Sequence, residues 1–278
     1  MKNKVIDFIT VIFILFFSQN ITNASFNSWW KNKNVYQKFF FLQIPLYTAT
    51  TVYGVVHWEY GFSNGFGFNK KSKLFAEYNQ GMDKFGHAWC GYTYASYMAD
   101  YLGKRGVSKS KATRLGFYSS AAFMTFIEIM DGFSAQQRFE HVDEIANLTG
   151  AAFASLRYYY PKLGEKIDYR MEYAPTWTRS FATDYNGQKY FLALKPSGFN
   201  GIKNTALQYT DLIFGYYGRR DPEPQKATLF AGVSYNAAAL VSNKYRPSNV
   251  FNYYQLPYTS LIKEFYTKKT YDTLSDMK

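Results

Sequence analysis

The chain has 278 residues, 47% of them hydrophobic, so it can bury a sizeable core and is not expected to be disordered. Its formal charge of +12 favours contact with anionic surfaces, but there is no zinc-ligand spacing, RNP-like motif or dense Lys/Arg block, so we expect no nucleic-acid partner. A mean hydropathy of −0.32 disfavours a polytopic channel or transporter. The aromatic content of 21% suits either a membrane interface or an aromatic-rich core.

The first residues are typical of an export signal. Met1–Lys4 supply positive charge, Phe8–Phe17 form an apolar run, and small residues follow at 22–25. We therefore predict a signal peptide at 1–24 and an exported, membrane-associated protein of the periplasm or cell envelope; a retained anchor is the alternative. No cysteine lies near the cleavage region, so lipid attachment there is not expected. Cys90 is predicted to be a small buried hydrophobe.

The next segments are predicted from their apolar and glycine content. Lys38–His57 reads as a buried or membrane-dipping helix, with Pro45 marking a kink or its effective start. Residues 61–69 are rich in glycine and asparagine and predict a loop, and the charged stretch 70–78 predicts a short exposed helix.

Apolar spacing then predicts three helices, which run from Met82 to about Leu102, from Ser108 or Ser110 to about Met130, and from Asp143 to Tyr160. The second is almost wholly apolar from Leu115 and should be buried on most sides. The third carries small residues every four positions, at Ala146, Gly150 and Ala154, which provides a flat face for close helix packing.

The remaining sequence predicts a change of structure. Residues 161–178 read as a linker, 179–262 as a β-rich part and 263–278 as a charged, frayed tail. Asn186-Gly187 predicts a hairpin between strands at 181–185 and 189–194, residues 228–235 predict another strand, and 207–217 are ambiguous between strand and helix. The predicted fold class is α+β, with a mainly α-helical core of about four to five packed helices in 25–160, followed by a small antiparallel β-rich C-terminal part.

Each of the three helices also carries polar groups suited to chemistry. Asp83 and His87 are four residues apart and share a helix face, so the carboxylate can orient the imidazole. Glu128 ends a long apolar run, where a carboxylate needs a partner or a proton. The polar groups that we predict to converge are Asp83, His87, Glu128, Asp131, Asp143 and Asn147.

These groups admit several interpretations. Arg138 and Lys84 are weaker candidates for ligand binding, and His87, Glu128 and Asp143 are candidate ligands for a divalent metal such as Zn²⁺ or Mn²⁺. No HExxH, nucleophile elbow, P-loop or dinucleotide motif is present. The alternative is structural, with carboxylates serving as helix caps or emerging into water at helix ends.

The order Asp83-Lys84-x-x-His87, Glu128-x-x-Asp131-Gly-Phe and Asp143-x-x-x-Asn147-x-x-Gly150 resembles the YfiM-type envelope family, domain of unknown function 2279, whose members are predicted periplasmic lipoproteins. It is more distantly similar to the VanZ-like membrane proteins. The resemblance covers about Val52 to Tyr160 and implies a place in the cell envelope more than an activity. The missing lipobox cysteine and the β-rich tail depart from it.

We therefore expect an envelope protein whose polar pocket engages a membrane lipid or an envelope glycan. As an enzyme it would be a hydrolase or transferase, with His87 as base, Asp83 orienting it, and Glu128 or Asp143 as acid or metal ligand. The rival hypothesis is a non-catalytic scaffold, in which the same residues form a hydrogen-bonded network that holds the helices in register.

Overall fold

The computed structural model describes residues 24–69, 79–202, 205–220, 225–240 and 249–270. Nearly all of the predicted signal peptide and the helix predicted at 70–78 lie outside these ranges. The helices are α1 (Ala24–Lys31), α2 (Val35–Phe41), α3 (Ile44–His57), α4 (Met82–Gly103), α5 (Lys109–Gly132), α6 (His141–Tyr159) and α7 (Pro161–Gly164). The strands are β1 (Ile167–Tyr173), β2 (Gln188–Leu194), β3 (Thr210–Arg219), β4 (Gln225–Tyr235), β5 (Tyr254–Gln255) and β6 (Ser260–Thr270). The predicted α+β fold class is confirmed.

The first apolar segment forms two helices rather than one. Asn34 caps α2 by accepting hydrogen bonds from the backbone of Tyr36 and Gln37, both at 3.0 Å, and α3 begins beside Pro45, as the sequence predicts. The stretch Val35–His57 is long and apolar enough to cross a membrane, with a hydropathy of 1.4, but only 17% of it is buried. Of the two expectations for this segment, a buried helix or a membrane-dipping one, the buried helix is therefore wrong.

Helices α4, α5 and α6 pack into one unit, and α4 and α6 approach each other very closely. A Cβ atom on Gly150 would lie 1.9 Å from the backbone oxygen of Ala88, and one on Gly91 would lie 2.4 Å from that of Asn147. Ser120 of α5 donates a hydrogen bond of 2.9 Å to the oxygen of Gly91. The small residues predicted on α6 thus make backbone-to-backbone packing with α4 feasible.

Within the described residues, the strands form one six-stranded sheet in the order β5-β1-β2-β3-β4-β6. All neighbours are antiparallel except β1 and β5, which are parallel. The predicted strand at 228–235 lies within β4, and the ambiguous segment 207–217 is mostly β3.

Three predictions about this part are wrong. The predicted linker contains α7 and β1, and the tail predicted from 263 continues β6 as far as Thr270. The hairpin is also displaced, because Asn186-Gly187 lies in a 3₁₀ turn and β2 pairs with β1 instead of a strand at 181–185. Strand β1 was not predicted because its charged residues suggest an exposed segment, whereas in the structure its Asp168 and Arg170 are fully buried as an ion pair.

The sheet is strongly curled, and its concave side is filled by polar and apolar side chains together. Ser260 of β6 donates a hydrogen bond of 2.8 Å to Glu172 of β1, although β2, β3 and β4 separate these strands in the sheet. Inside the curl, Asp168 contacts Arg170 at 2.7 Å and Lys195 at 2.6 Å. Buried charges of this kind are tolerated because each is paired.

Replacing Gly150 by Ala tests the helix packing. In an open helix, Gly to Ala stabilises by about 1 kcal/mol, but here the added methyl group meets a backbone oxygen, so we expect a loss of about 1–3 kcal/mol of unfolding free energy. Urea denaturation followed by circular dichroism measures it. The exposed Ala152 on the same helix, replaced by Leu, should change stability by no more than about 0.5 kcal/mol; a stabilising Gly150→Ala would contradict the close approach.

Candidate functional site

The centre of the polar cluster is the ammonium group of Lys84, which is only 3% exposed. Gly81, in a left-handed conformation with φ of 78°, begins α4 and places Lys84 in its first turn. The ammonium nitrogen lies 3.0 Å from Asp83, 2.5 Å from Glu140 and 2.7 Å from Asp143. One cation thus joins the start of α4 to the start of α6.

His87 lies one turn further along α4, between groups from all three helices. Its Nδ1 atom is 3.0 Å from Asn147 Oδ1 and 3.3 Å from Glu128 Oε1, while Nε2 is 3.7 Å from Asp83 Oδ1. Because Asn147 directs its oxygen at the ring and its amide toward Glu144 at 3.5 Å, Nδ1 carries a proton and donates it.

The remaining carboxylates are held by tyrosines and by the backbone. Tyr60 donates a hydrogen bond of 2.7 Å to Asp131, and Tyr185, from the β1–β2 connection, donates one of 2.8 Å to Asp83. Glu128 is 1% exposed and accepts a long hydrogen bond of 3.4 Å from the backbone of Glu140. Its other oxygen, Oε1, has no hydrogen bond within the described part of the chain and faces His87.

Burial, together with the charges of neighbouring groups, shifts the pKa values of the acids. Burial is the main cause that raises the pKa of Glu128 to about 8, of Asp143 to about 7 and of Asp131 to about 6. Burial alone would lower the pKa of His87, but the carboxylates of Asp143, Asp83, Glu128 and Asp131 outweigh it and raise the pKa to about 9. The imidazole is therefore charged at neutral pH.

Asp83 differs from the other three acids, because its pKa is lowered rather than raised. Burial would raise its pKa, but the neighbouring charges of His87 and Lys84 outweigh it and hold the pKa below its ordinary value. The cluster therefore pairs one firmly ionised acid, Asp83, with two, Asp143 and Glu128, that release their protons only near or above neutral pH.

A cavity of about 160 Å³ opens beside the cluster. Asp83, His87 and Asp131 reach its wall, together with Trp58, Trp89, Cys90 and residues of the β1–β2 connection that include Phe181 and Tyr185. Cys90 is exposed to this space rather than buried as predicted, and its desolvated surroundings raise the pKa of the thiol to about 11. The cluster thus has an accessible front, while Lys84, Glu128, Asp143 and Asn147 form a buried back.

The structure brings together the oxygen and nitrogen atoms of Asp83, His87 and Asp143, all within 4.8 Å of one another. Their chemistry fits a divalent metal. Binding would first require the imidazolium to lose its proton, and the metal would compete with Lys84 for both carboxylates. Of the predicted metal ligands, His87 and Asp143 belong to this group and Glu128 lies next to His87.

The six polar groups predicted to converge do lie together, whereas Arg138 does not join them. Its guanidinium donates a 3.3 Å hydrogen bond to the oxygen of Gly65 and packs over the loop. Lys84, only a weaker candidate from the sequence, lies at the centre of the cluster. Tyr60, Glu140 and Tyr185 also contact it, although none of them was among the residues predicted from the sequence. Glu140 lay within the polar run before α6 and was open to detection, but nothing in the sequence ties the two tyrosines to the cluster.

Residues 75–159 match the family model DUF2279, described as "Predicted periplasmic lipoprotein". The match spans α4, α5 and α6 with the buried back of the cluster, and covers less than half of the chain. Its description agrees with the exported, envelope-associated location predicted from the sequence. No curated protein and no solved structure matches the chain.

The raised pKa values predict how stability depends on pH. The pKa values of Glu128, Asp143 and His87 are higher in the folded protein than their ordinary values, so folding takes up protons, and stability should fall as the pH rises from about 5 to about 9. Urea denaturation at three pH values in that interval measures it. Glu128→Gln should flatten the fall and make the variant the more stable protein at the alkaline end. Glu59→Gln, at an exposed position, is the control; a profile that rises with pH would contradict the assignment.

Lys84→Met tests the role of the central cation. Its removal leaves three carboxylates without their shared partner, and we expect a loss of about 3–5 kcal/mol of unfolding free energy at neutral pH. The loss should shrink on mild acidification, because protonated acids repel one another less. Lys104→Met removes a half-exposed ion pair with Asp100 and should cost less than about 1 kcal/mol. Equal effects of the two variants would show that the cluster does not depend on Lys84.

Proposed function

We propose that this exported envelope protein binds a sugar group of an envelope glycan or glycolipid in the cavity beside the carboxylate cluster. The observation that supports this most is the composition of the cavity wall, in which Asp83, Asp131 and His87 face a space bordered by Trp58 and Trp89. A few convergent polar groups within a largely apolar lining that includes aromatic rings are typical of small-molecule sites.

The groups at the front suit hydroxyl groups. Ionised carboxylates of Asp83 and Asp131 accept hydrogen bonds from hydroxyl or amine donors, and the charged ring of His87 donates one. The indole rings provide apolar contact area at little entropic cost. A pyranose ring offers both surfaces, because its hydroxyl groups lie around an apolar face.

The charge of the cluster disfavours a phosphate headgroup as the ligand. Glu128, with a pKa of about 8, keeps its proton at neutral pH, but the acids Asp83, Asp131, Glu140 and Asp143 still outnumber the two cations, Lys84 and His87, so an anion entering the cavity would be repelled. A neutral or amine-bearing sugar meets no such barrier. We therefore favour the glycan over the anionic part of a membrane lipid.

The same geometry favours particular roles if the bound sugar reacts, as in a hydrolase or transferase. Asp131, with a pKa of about 6, would be ionised at neutral pH and faces the cavity, so it suits a general base. His87 is charged and suits a proton donor rather than the base expected from the sequence. Asp83 lies 3.7 Å from the ring and would stabilise its charge.

A scaffold without a ligand is the second candidate, and the buried ion network around Lys84 favours it. Such networks also hold helices in register. The scaffold does not account for the cavity or for the exposure of Asp83 and His87 to it, since a purely structural network gains nothing from an opening.

Tryptophan fluorescence tests binding directly, because two indoles line the cavity. A soluble oligosaccharide of N-acetylated amino sugars should change the emission of the full chain in a saturable way. Asp131→Asn, which retains shape but removes the charge, should weaken binding about tenfold or more through loss of a charge-assisted hydrogen bond. Asp100→Asn, at the far end of α4, should bind like the unchanged protein.

The outcomes separate the candidates. Saturable binding that Asp131→Asn weakens at unchanged stability supports the site. A response to glycerophosphate but not to the sugar would overturn the glycan assignment in favour of a lipid headgroup. No binding of either, with Asp131→Asn and His87→Gln both strongly destabilised, would leave only the scaffold.

A further inference from the structure

The curled sheet differs from an ordinary half-buried sheet in water, because its outer face is largely apolar. Antiparallel sheets usually direct apolar residues inward and polar residues outward. Here the concave side holds Asp168, Arg170 and Asp211 in buried ion pairs, whereas large apolar side chains lie exposed on the convex side. Strand register shows how these exposed residues are arranged.

Directly paired residues share a face of the sheet. Leu194 pairs with Leu212, Leu212 with Val233, and Val233 with Leu261, so one row of aliphatic residues crosses β2, β3, β4 and β6. In the next row, Leu192 pairs with Phe214, whose ring stacks on Phe265 at 5.7 Å. We call these residues the apolar band: Leu192, Leu194, Leu212, Phe214, Val233, Leu261 and Phe265.

Within the described residues, α4 covers one end of the convex side. Tyr190 and Tyr216 lie on the same face, and Phe85 of α4 stacks on Tyr216 at 4.8 Å, so that end is buried under the helical unit. The apolar band continues from it beyond the reach of α4, with side chains 38–78% exposed. So many adjoining exposed apolar residues mark an interaction surface.

Charge and aromatic content indicate which partner the band fits. Lys263, opposite Ala231 in the second row, and Lys268 further along β6 are both exposed, and long cationic side chains at the edge of an apolar surface reach anionic headgroups. Tyr235 at the end of β4, Tyr258 in the turn before β6 and Tyr266 within β6 are also exposed, and exposed tyrosines are typical of a membrane interface. The chain's net charge of +12 acts in the same direction.

We propose that the apolar band is a membrane-docking surface, which lies in the headgroup and upper acyl region of an anionic bilayer. The exposed apolar face of the sheet then has a physical reason, since the convex side faces lipid. This contact is independent of the sugar site and of any anchor at the N-terminus.

A position-specific probe tests this directly. In a Cys90→Ala background, the full chain carrying Leu261→Cys is labelled with an environment-sensitive fluorophore and mixed with vesicles of phosphatidylcholine and phosphatidylglycerol. Lipids brominated in the upper acyl chain should quench the probe by about half or more, because docked side chains reach about 5–10 Å into the bilayer. The same probe at Thr149→Cys, on an exposed polar position of α6, should be quenched far less.

A second variant tests the energetics of the same surface. Leu212→Gln combined with Leu261→Gln, two changes in the same aliphatic row, should lower the vesicle partition coefficient by about tenfold or more without loss of folding, because both side chains are exposed. Val52→Gln with Val55→Gln, which alters the exposed face of α3, is the matched control and should leave quenching at position 261 unchanged.

Two results would overturn the proposal. The first is a probe at position 261 that escapes quenching while the chain floats with the vesicles, since the membrane contact would then lie elsewhere. The second is a probe already shielded without lipid, in a dimer that dissociates on Leu212→Gln and Leu261→Gln, which would assign the band to a second copy of the chain.

Discussion

The contact between the Lys84 ammonium and the carboxylates of Asp83, Glu140 and Asp143 is the interaction on which the site depends. It forms only because α4 and α6 lie backbone to backbone, as the missing side chain of Gly150 permits. Acids concentrated in so small a volume would repel one another without a central cation. Helix packing and electrostatics are therefore inseparable here.

The cluster divides into a buried back and an accessible front, and the two have different origins. The back lies wholly within the helical unit that matches the family model. The front is completed by the connection between β1 and β2, because Tyr185 hydrogen-bonds Asp83 and Phe181 borders the cavity. The surroundings of Asp83, His87 and Asp131 are thus shaped by a part of the chain outside the matched region.

Buried charge recurs in the sheet, where it has a different consequence. Asp168 is fully buried and paired with cations, and the charge of Lys195 is the first influence that offsets the burial and holds the pKa of Asp168 below its ordinary value. The concave side thus holds its charges in ion pairs, and the convex side carries the apolar band. The proposed contact with a bilayer would supply the apolar surroundings that such a band lacks in water.

The sequence by itself determined the three central helices, α4, α5 and α6, and most of the polar cluster. Apolar periodicity fixes the bounds of α4 closely, and Glu128 stands out because a carboxylate at the end of an apolar run needs a partner. It also determined the β-rich character of the C-terminal part, since the strand predicted at 228–235 lies within β4.

Only the tertiary structure decided the groups whose partners are distant along the chain. Lys84 looks like a solvated charge until Glu140, 56 residues later, is brought beside it, and Tyr185 reaches Asp83 from 102 residues away. Strand β1 was not predicted from the sequence because its charged residues form ion pairs with residues on other elements, and the local composition of the segment gives no sign of those partners. Local pattern specifies secondary structure, whereas the environment of a polar side chain is a property of long-range packing, and function depends on that environment.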